Sequence, residues 1–139
     1  MTLEKDRVPN EELVHLAKKE EPRLLNILLR DKNALMDCMS FGIKSEYLWL
    51  ESNRFLFKVI AENYRKYNSM LTRNAMSSIV DMQSSYTDEQ RAARMMYWDQ
   101  VYGNSTSLED YEMLKNSVNG RHVQQQTYKI LHDNLERVV

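Results

Sequence analysis

Over residues 47–67, Leu50, Phe57, Ile60, Tyr64 and Tyr67 recur at helical spacings, which predicts one buried helical face. Leu56 and Val59 widen that face until most of the circumference is apolar or aromatic. A helix wetted along one side needs only a stripe, so this one is expected at the centre, with the other segments laid around it. On the N-terminal side, residues 1–9 are charged and aperiodic, an expected loose arm. Asn10 can cap a helix from Glu11 with a modest face of Leu13, Val14 and Ala17. Lys18, Lys19, Glu20 and Glu21 form a charge run that predicts solvated surface. Pro22 suits the first turn of a new helix, because its missing N–H has no partner there anyway. The near-continuous Leu24, Leu25, Ile27, Leu28 and Leu29 make that helix short and buried.

Asp31 is the next start signal, followed by a face of Ala34, Leu35, Cys38 and Met39 and a stop at Gly42, which is free to turn left-handed. Ser45 is expected to nucleate a short turn carrying Tyr47 and Trp49 into the central helix. Beyond the break at Asn68-Ser69, Thr72 caps a helix bearing Ala75, Met76, Ile79, Val80 and Met82. Thr87 with Gln90 three residues on fits a capping box, opening a helix with Ala92, Met95, Met96, Trp98 and Val101 that ends at Gly103-Asn104. Ser107 with Asp110 offers a further box-like start. The pattern holds no convincing strand. The expected fold is all-α: a compact bundle of about six helices with a long C-terminal helix. Its expected parts are an N-terminal arm and short helix over 1–20, a helical bundle over 21–106, and an extended helix over 107–139 that serves as an oligomerisation arm.

The last segment carries two readings. Tyr111, Leu114 and Val118 share one face, as do Tyr128, Leu131, Leu135 and Val138, but the register between them passes through Arg121 and Gln125. Asn119-Gly120 either turns the chain into two short antiparallel helices or sits inside one long helix at a cost of about 1 kcal/mol. A helix of about thirty residues with apolar ends projects beyond so small a domain and needs a partner.

Composition narrows the function. A chain of 139 residues with 42% hydrophobic and 28% charged residues suits one globular domain. With 12 basic and 11 acidic residues to Met70 and 7 and 9 after it, neither part binds nucleic acid by charge alone. Cys38 is the only cysteine, which excludes an intrachain disulfide and a cysteine metal cluster, and it reads as a small core residue. The polar N-terminus and the lack of a long apolar run predict a cytoplasmic protein without a membrane partner. Gly42, Gly103 and Gly120 are isolated, so there is no phosphate loop, and no nucleophile elbow or His-Glu-x-x-His motif occurs. His15, His122 and His132 are scattered. The pairs Glu20-Glu21, Asp88-Glu89 and Glu109-Asp110 fit helix N-termini better than acid–base catalysis. Most of the nine methionines fall on expected core faces. No catalytic, metal or cofactor site is expected in this segment.

Glu46-Tyr47 followed by Asn53-Arg54-Phe55-Leu56-Phe57-x-x-Ile60 is similar to the Asp-Phe-Tyr…His-x-x-Ile-Phe-x-x-Met signature in the N-terminal domain of DnaB-type replicative DNA helicases. The run from Glu21 to Leu29 sits where the family has Glu-Gln-x-Val-Leu-Gly-x-Leu, and Leu71-Thr72 where it has an Ile-Asp helix start. The closing Leu108-Glu-Asp-Tyr111-x-x-Leu114-x-x-x-Val118, with Arg121 and Gln125, resembles its Ile-x-x-Tyr-Ala-x-Ile-Val-x-Glu-Arg element. The order holds over about residues 20–139. The chain departs from the pattern at Met70, Asn53 and Asn26, which replace a family proline, histidine and glycine; such drift resembles a phage-encoded relative.

The resemblance implies a helical bundle whose long helix is the first arm of a hairpin, with Asn119-Gly120 inside it. It implies a collar that pairs subunits on a hexameric ring and binds primase and, in some members, a helicase loader, with DNA held only by the full ring. The second arm and a RecA-like motor using ATP and Mg are expected beyond Val139. On this reading the interface is the face of Tyr111, Leu114, Val118, Arg121, Gln125, Tyr128, Leu131 and Leu135, its polar middle covered by the second arm. The competing expectation packs Tyr111 and Leu114 on the central helix. The alternative functions are the helicase-binding domain of a primase and a free-standing phage helical adaptor.

Overall fold

The computed structural model describes the backbone of residues 11–138 and the side chains of residues 11–135. The loose arm over 1–9 and the Asn10 cap lie outside the described residues, as does the Val138 side chain. Helix α1 runs Glu11–Arg30, α2 Lys32–Phe41, α3 Glu51–Tyr67, α4 Arg73–Asp81, α5 Asp88–Gly103 and α6 Tyr111–Val138. Short 3-10 turns at Ser45–Tyr47 and Leu108–Asp110 lead into α3 and α6. The fold is all-α, and no strand occurs among the described residues.

Local chemistry accounts for most boundaries. The Asp31 carboxylate accepts the Ala34 N–H at 2.8 Å and opens α2. Gly42 closes it at φ +101°, with its own N–H donating to the Met39 carbonyl and that of Ile43 to Cys38, the left-handed cap that lacks a Cβ penalty. The Thr72 hydroxyl caps α4 through the Ala75 N–H. Thr87 and Gln90 form both arms of a capping box on α5.

Helix α1 differs from the expected pair of short helices. It is continuous through Pro22, and Glu20 and Glu21 are buried rather than solvated. An interior proline forfeits a hydrogen bond and crowds the preceding turn, at a cost of about 3 kcal/mol. Against that, Leu24, Leu25, Ile27 and Leu28 are fully buried, and burial of each such side chain contributes about 1.5–3 kcal/mol, so packing prevails. This helix, not α3, is the centre: α1 packs against α2, α3, α5 and α6, whereas α3 packs chiefly on α1 and the turn before it. Accordingly Tyr67, expected on the buried face of α3, is exposed and Tyr64 only partly covered.

The core joins the apolar side of α1 to Leu35, Cys38, Leu56, Ile60, Met76 and Trp98. Cys38 is inaccessible, and burial pushes its thiol up to about 12. Helix α5 buries only Trp98 and Val101. Of the eight described methionines, Met76 is buried and Met39, Met70 and Met95 pack part-buried against the core, whereas Met36, Met82, Met96 and Met113 are exposed, so only half serve as core filling.

Asn119-Gly120 lies inside α6, which is unbroken. Gly120 has no positive φ, and a Cβ there would meet nothing within 4 Å. Gly120→Ala should therefore raise stability by about 0.5–1 kcal/mol, while Gly42→Ala lowers it by about 1–2 kcal/mol because of its left-handed backbone. Urea unfolding of the two variants checks the opposite signs; a destabilised Gly120→Ala would contradict a continuous helix.

Candidate protein-interaction site

Polar residues on α1 position the other helices. Glu21 accepts the Trp49 N–H at 2.7 Å, the Leu50 N–H at 3.3 Å and the Asn53 side-chain amide at 3.0 Å. Its carboxylate thus takes up the donors leading into α3, whose cap residue Leu50 has no polar side chain to do so. Asn53 in turn accepts the Tyr97 hydroxyl of α5 at 2.5 Å. Burial pushes the Tyr97 hydroxyl up to about 12. Asn26 donates to the carbonyls of Val101 and Asn104 and accepts from the Thr106 N–H, holding the end of α5 and the loop before α6. Arg23 pairs with Asp110 at 2.6 Å at the start of that helix.

Helix α6 is thereby anchored along its first half. Tyr111, Leu114 and Val118 are buried in the core cluster, and Arg121 and Gln125 continue the same buried stripe. Five of the eight expected interface residues thus face their own chain. The polar middle needs no second arm to cover it at Arg121, which pairs with Glu20 of α1 while also donating to Ser117. Tyr47, from the turn before α3, stacks on His122 with ring centroids 3.6 Å apart.

A second clamp joins α6 to α2. Asp37 accepts the Tyr111 hydroxyl at 2.6 Å and the Lys115 ammonium at 2.9 Å, and Lys115 lies 4.5 Å from the Phe41 ring centroid. Those hydrogen bonds hold the Asp37 carboxyl below its ordinary range, while burial and the neighbouring carboxylate push the Tyr111 hydroxyl up.

Beyond Gln125 the helix leaves its cover. Tyr128, Leu131 and Leu135 are 45%, 59% and 66% exposed and lie three and four apart, so they form one apolar row. Val123 and Ile130, also exposed, are seven apart and make a second row on another face, not singled out from the sequence. Their i, i+7 spacing was the available signal. At about 1.5 Å per residue, the thirteen residues past Gln125 extend roughly 20 Å.

This geometry suits helix-to-helix recognition. Among the described residues, no group of three or more His, Cys, Asp or Glu side chains could hold a metal ion. His132 stacks on Tyr128 and His15 lies exposed on α1. No described helix is long and apolar enough to cross a membrane. No family model, curated protein or solved structure matches the chain.

Proposed function

We propose that this chain is the N-terminal collar domain of a replicative DNA helicase and acts by protein–protein contact, the distal half of α6 pairing first with another copy of itself. One observation carries the reading: the stripe buried along the first half of α6 gives way past Gln125 to an exposed row of Tyr128, Leu131 and Leu135. An apolar row on an uncovered helix gains by burial against a second such row, as in coiled-coil pairing. The helicase assignment rests in addition on the Glu46-Tyr47 and Asn53–Ile60 resemblance, whose residues fall in the turn before α3 and in α3 itself. Primase or a helicase loader is the further partner implied, with ATP and Mg used by the motor rather than by this domain.

Leu131→Asp with Leu135→Asp should reduce the self-associated mass to that of a monomer and leave helical content intact, since neither side chain supports the core. Light scattering and circular dichroism read the two quantities. An unchanged mass in the double variant, or a monomeric parent chain, would remove the arm as a self-association surface.

A further inference from the structure

A cleft of about 240 Å³ lies between the chain leaving α2 and the outer face of α3. Its floor is apolar, made of Ile43, Phe57 and Ala61, all buried. The left-handed turn at Gly42 directs Ile43 inward and leaves Lys44 at the rim. On α3, Lys58, Ala61 and Arg65 follow at i, i+3 and i+7, which puts two more cations beside that floor. Glu62 is the one carboxylate in the lining. Among the described residues, none of Lys44, Lys58 and Arg65 forms an ion pair. Three cations thus stand around an apolar depression in a chain whose net charge is −1.

We infer that this cleft is a docking site for an acidic peptide segment that places one aliphatic side chain on the Ile43–Phe57–Ala61 floor and carboxylates beside Lys44, Lys58 and Arg65. The volume falls below the roughly 300–1,000 Å³ of small-molecule sites, so it suits a single anchoring side chain rather than a nucleotide. The floor side chains Ile43, Phe57 and Ala61 carry no donor for a phosphate, and Ser45 is the one uncharged polar side chain in the lining. A nucleic-acid strand needs a longer run of cations than three interrupted by Glu62. The remaining complementarity is that of a short peptide, negative on both sides of a small hydrophobe. The site is independent of the pairing surface on distal α6, with which it shares no residue.

The test uses the full chain, isotope-labelled, titrated with acetyl-Asp-Glu-Leu-Glu-Asp-amide and followed by amide chemical shifts. Saturable shifts confined to residues 43–45 and 57–65 are expected. Lys58→Glu with Arg65→Glu, both on exposed positions, should weaken binding by at least about tenfold, as should glycine in place of the peptide's leucine. Ala61→Met, which fills the floor, provides a variant with unchanged charge and should weaken the leucine peptide selectively. The inference is overturned by a lack of saturation at millimolar peptide, by shifts centred elsewhere, or by undiminished affinity in the charge-reversed chain. Tighter binding of an oligothymidine to the same residues would also overturn it, in favour of nucleic acid.

Discussion

Glu21→Ala is expected to destabilise the chain by about 3–5 kcal/mol, a large fraction of the 5–15 kcal/mol available to an ordinary domain. The carboxylate is fully buried and receives two backbone N–H groups and the Asn53 amide. Alanine leaves all three donors without their acceptor, and each buried donor left so costs about 1–3 kcal/mol. Opposing this, removal of the carboxylate relieves the desolvation of its charge. Burial holds the Glu21 carboxyl above its ordinary value, against the hydrogen bonds from Asn53, Trp49 and Leu50 and the charge of Arg121. The orphaned donors outweigh that relief because they remain buried whatever the pH.

The raised carboxyl also sets a sign. Above the ordinary value of 4.5 the folded chain holds this proton more tightly than the unfolded one. The associated stability is fully present below that pH and is lost as pH rises through the folded value. Glu21→Gln keeps one acceptor and cannot ionise, so it should cost less than alanine and lack this part of the pH slope. Urea unfolding at several pH values measures both effects. A Glu21→Ala chain within 1 kcal/mol of the parent, or an unaltered slope in Glu21→Gln, would show that the carboxylate is not bound as described.

The same residue shows where sequence reasoning ended. Asp31, Thr72, Thr87 with Gln90, and Gly42 were readable because a cap acts on neighbours three or four residues away. Glu21 was not: its partners lie 28 to 32 residues on, and nothing in a charge run tells which of its members faces inward. Pro22 reinforced the error, since its local preference for a helix start was overridden by the packing of the leucines beyond it. With α1 divided in two, the broad apolar face of α3 looked like the centre. Asn26 and Asn53 stand at the middle of the buried hydrogen-bond networks. The α6 stripe was legible as a period, but the period does not reveal where cover stops. That depends on α1 lying alongside its first half.

Arg121 lies one turn short of that limit, and Arg121→Ala should cost about 3–5 kcal/mol. Its guanidinium is buried, donates through Nη1 to Glu20 and Ser117, and leaves Nε and Nη2 without a hydrogen-bond partner. Alanine removes the cation from Glu20, whose side chain is only 11% exposed, leaving it the Ser117 hydroxyl at 2.6 Å. A buried carboxylate deprived of its cation is far more costly than a pair removed whole. Glu20→Met with Arg121→Met should therefore recover most of the loss and come within about 1 kcal/mol of the parent, since the unsatisfied guanidinium N–H groups disappear as well. With the single variants Glu20→Met and Arg121→Met, the four stabilities form a double-mutant cycle that isolates the pair from the packing of each side chain. Near-additive losses would mean that Glu20 and Arg121 do not meet in solution. If the Met pair keeps both its stability and the self-associated mass of the parent, the ion pair is dispensable for pairing, and the distal row of Tyr128, Leu131 and Leu135 carries it. If stability returns but association does not, the pair serves to fix the direction in which α6 leaves the bundle.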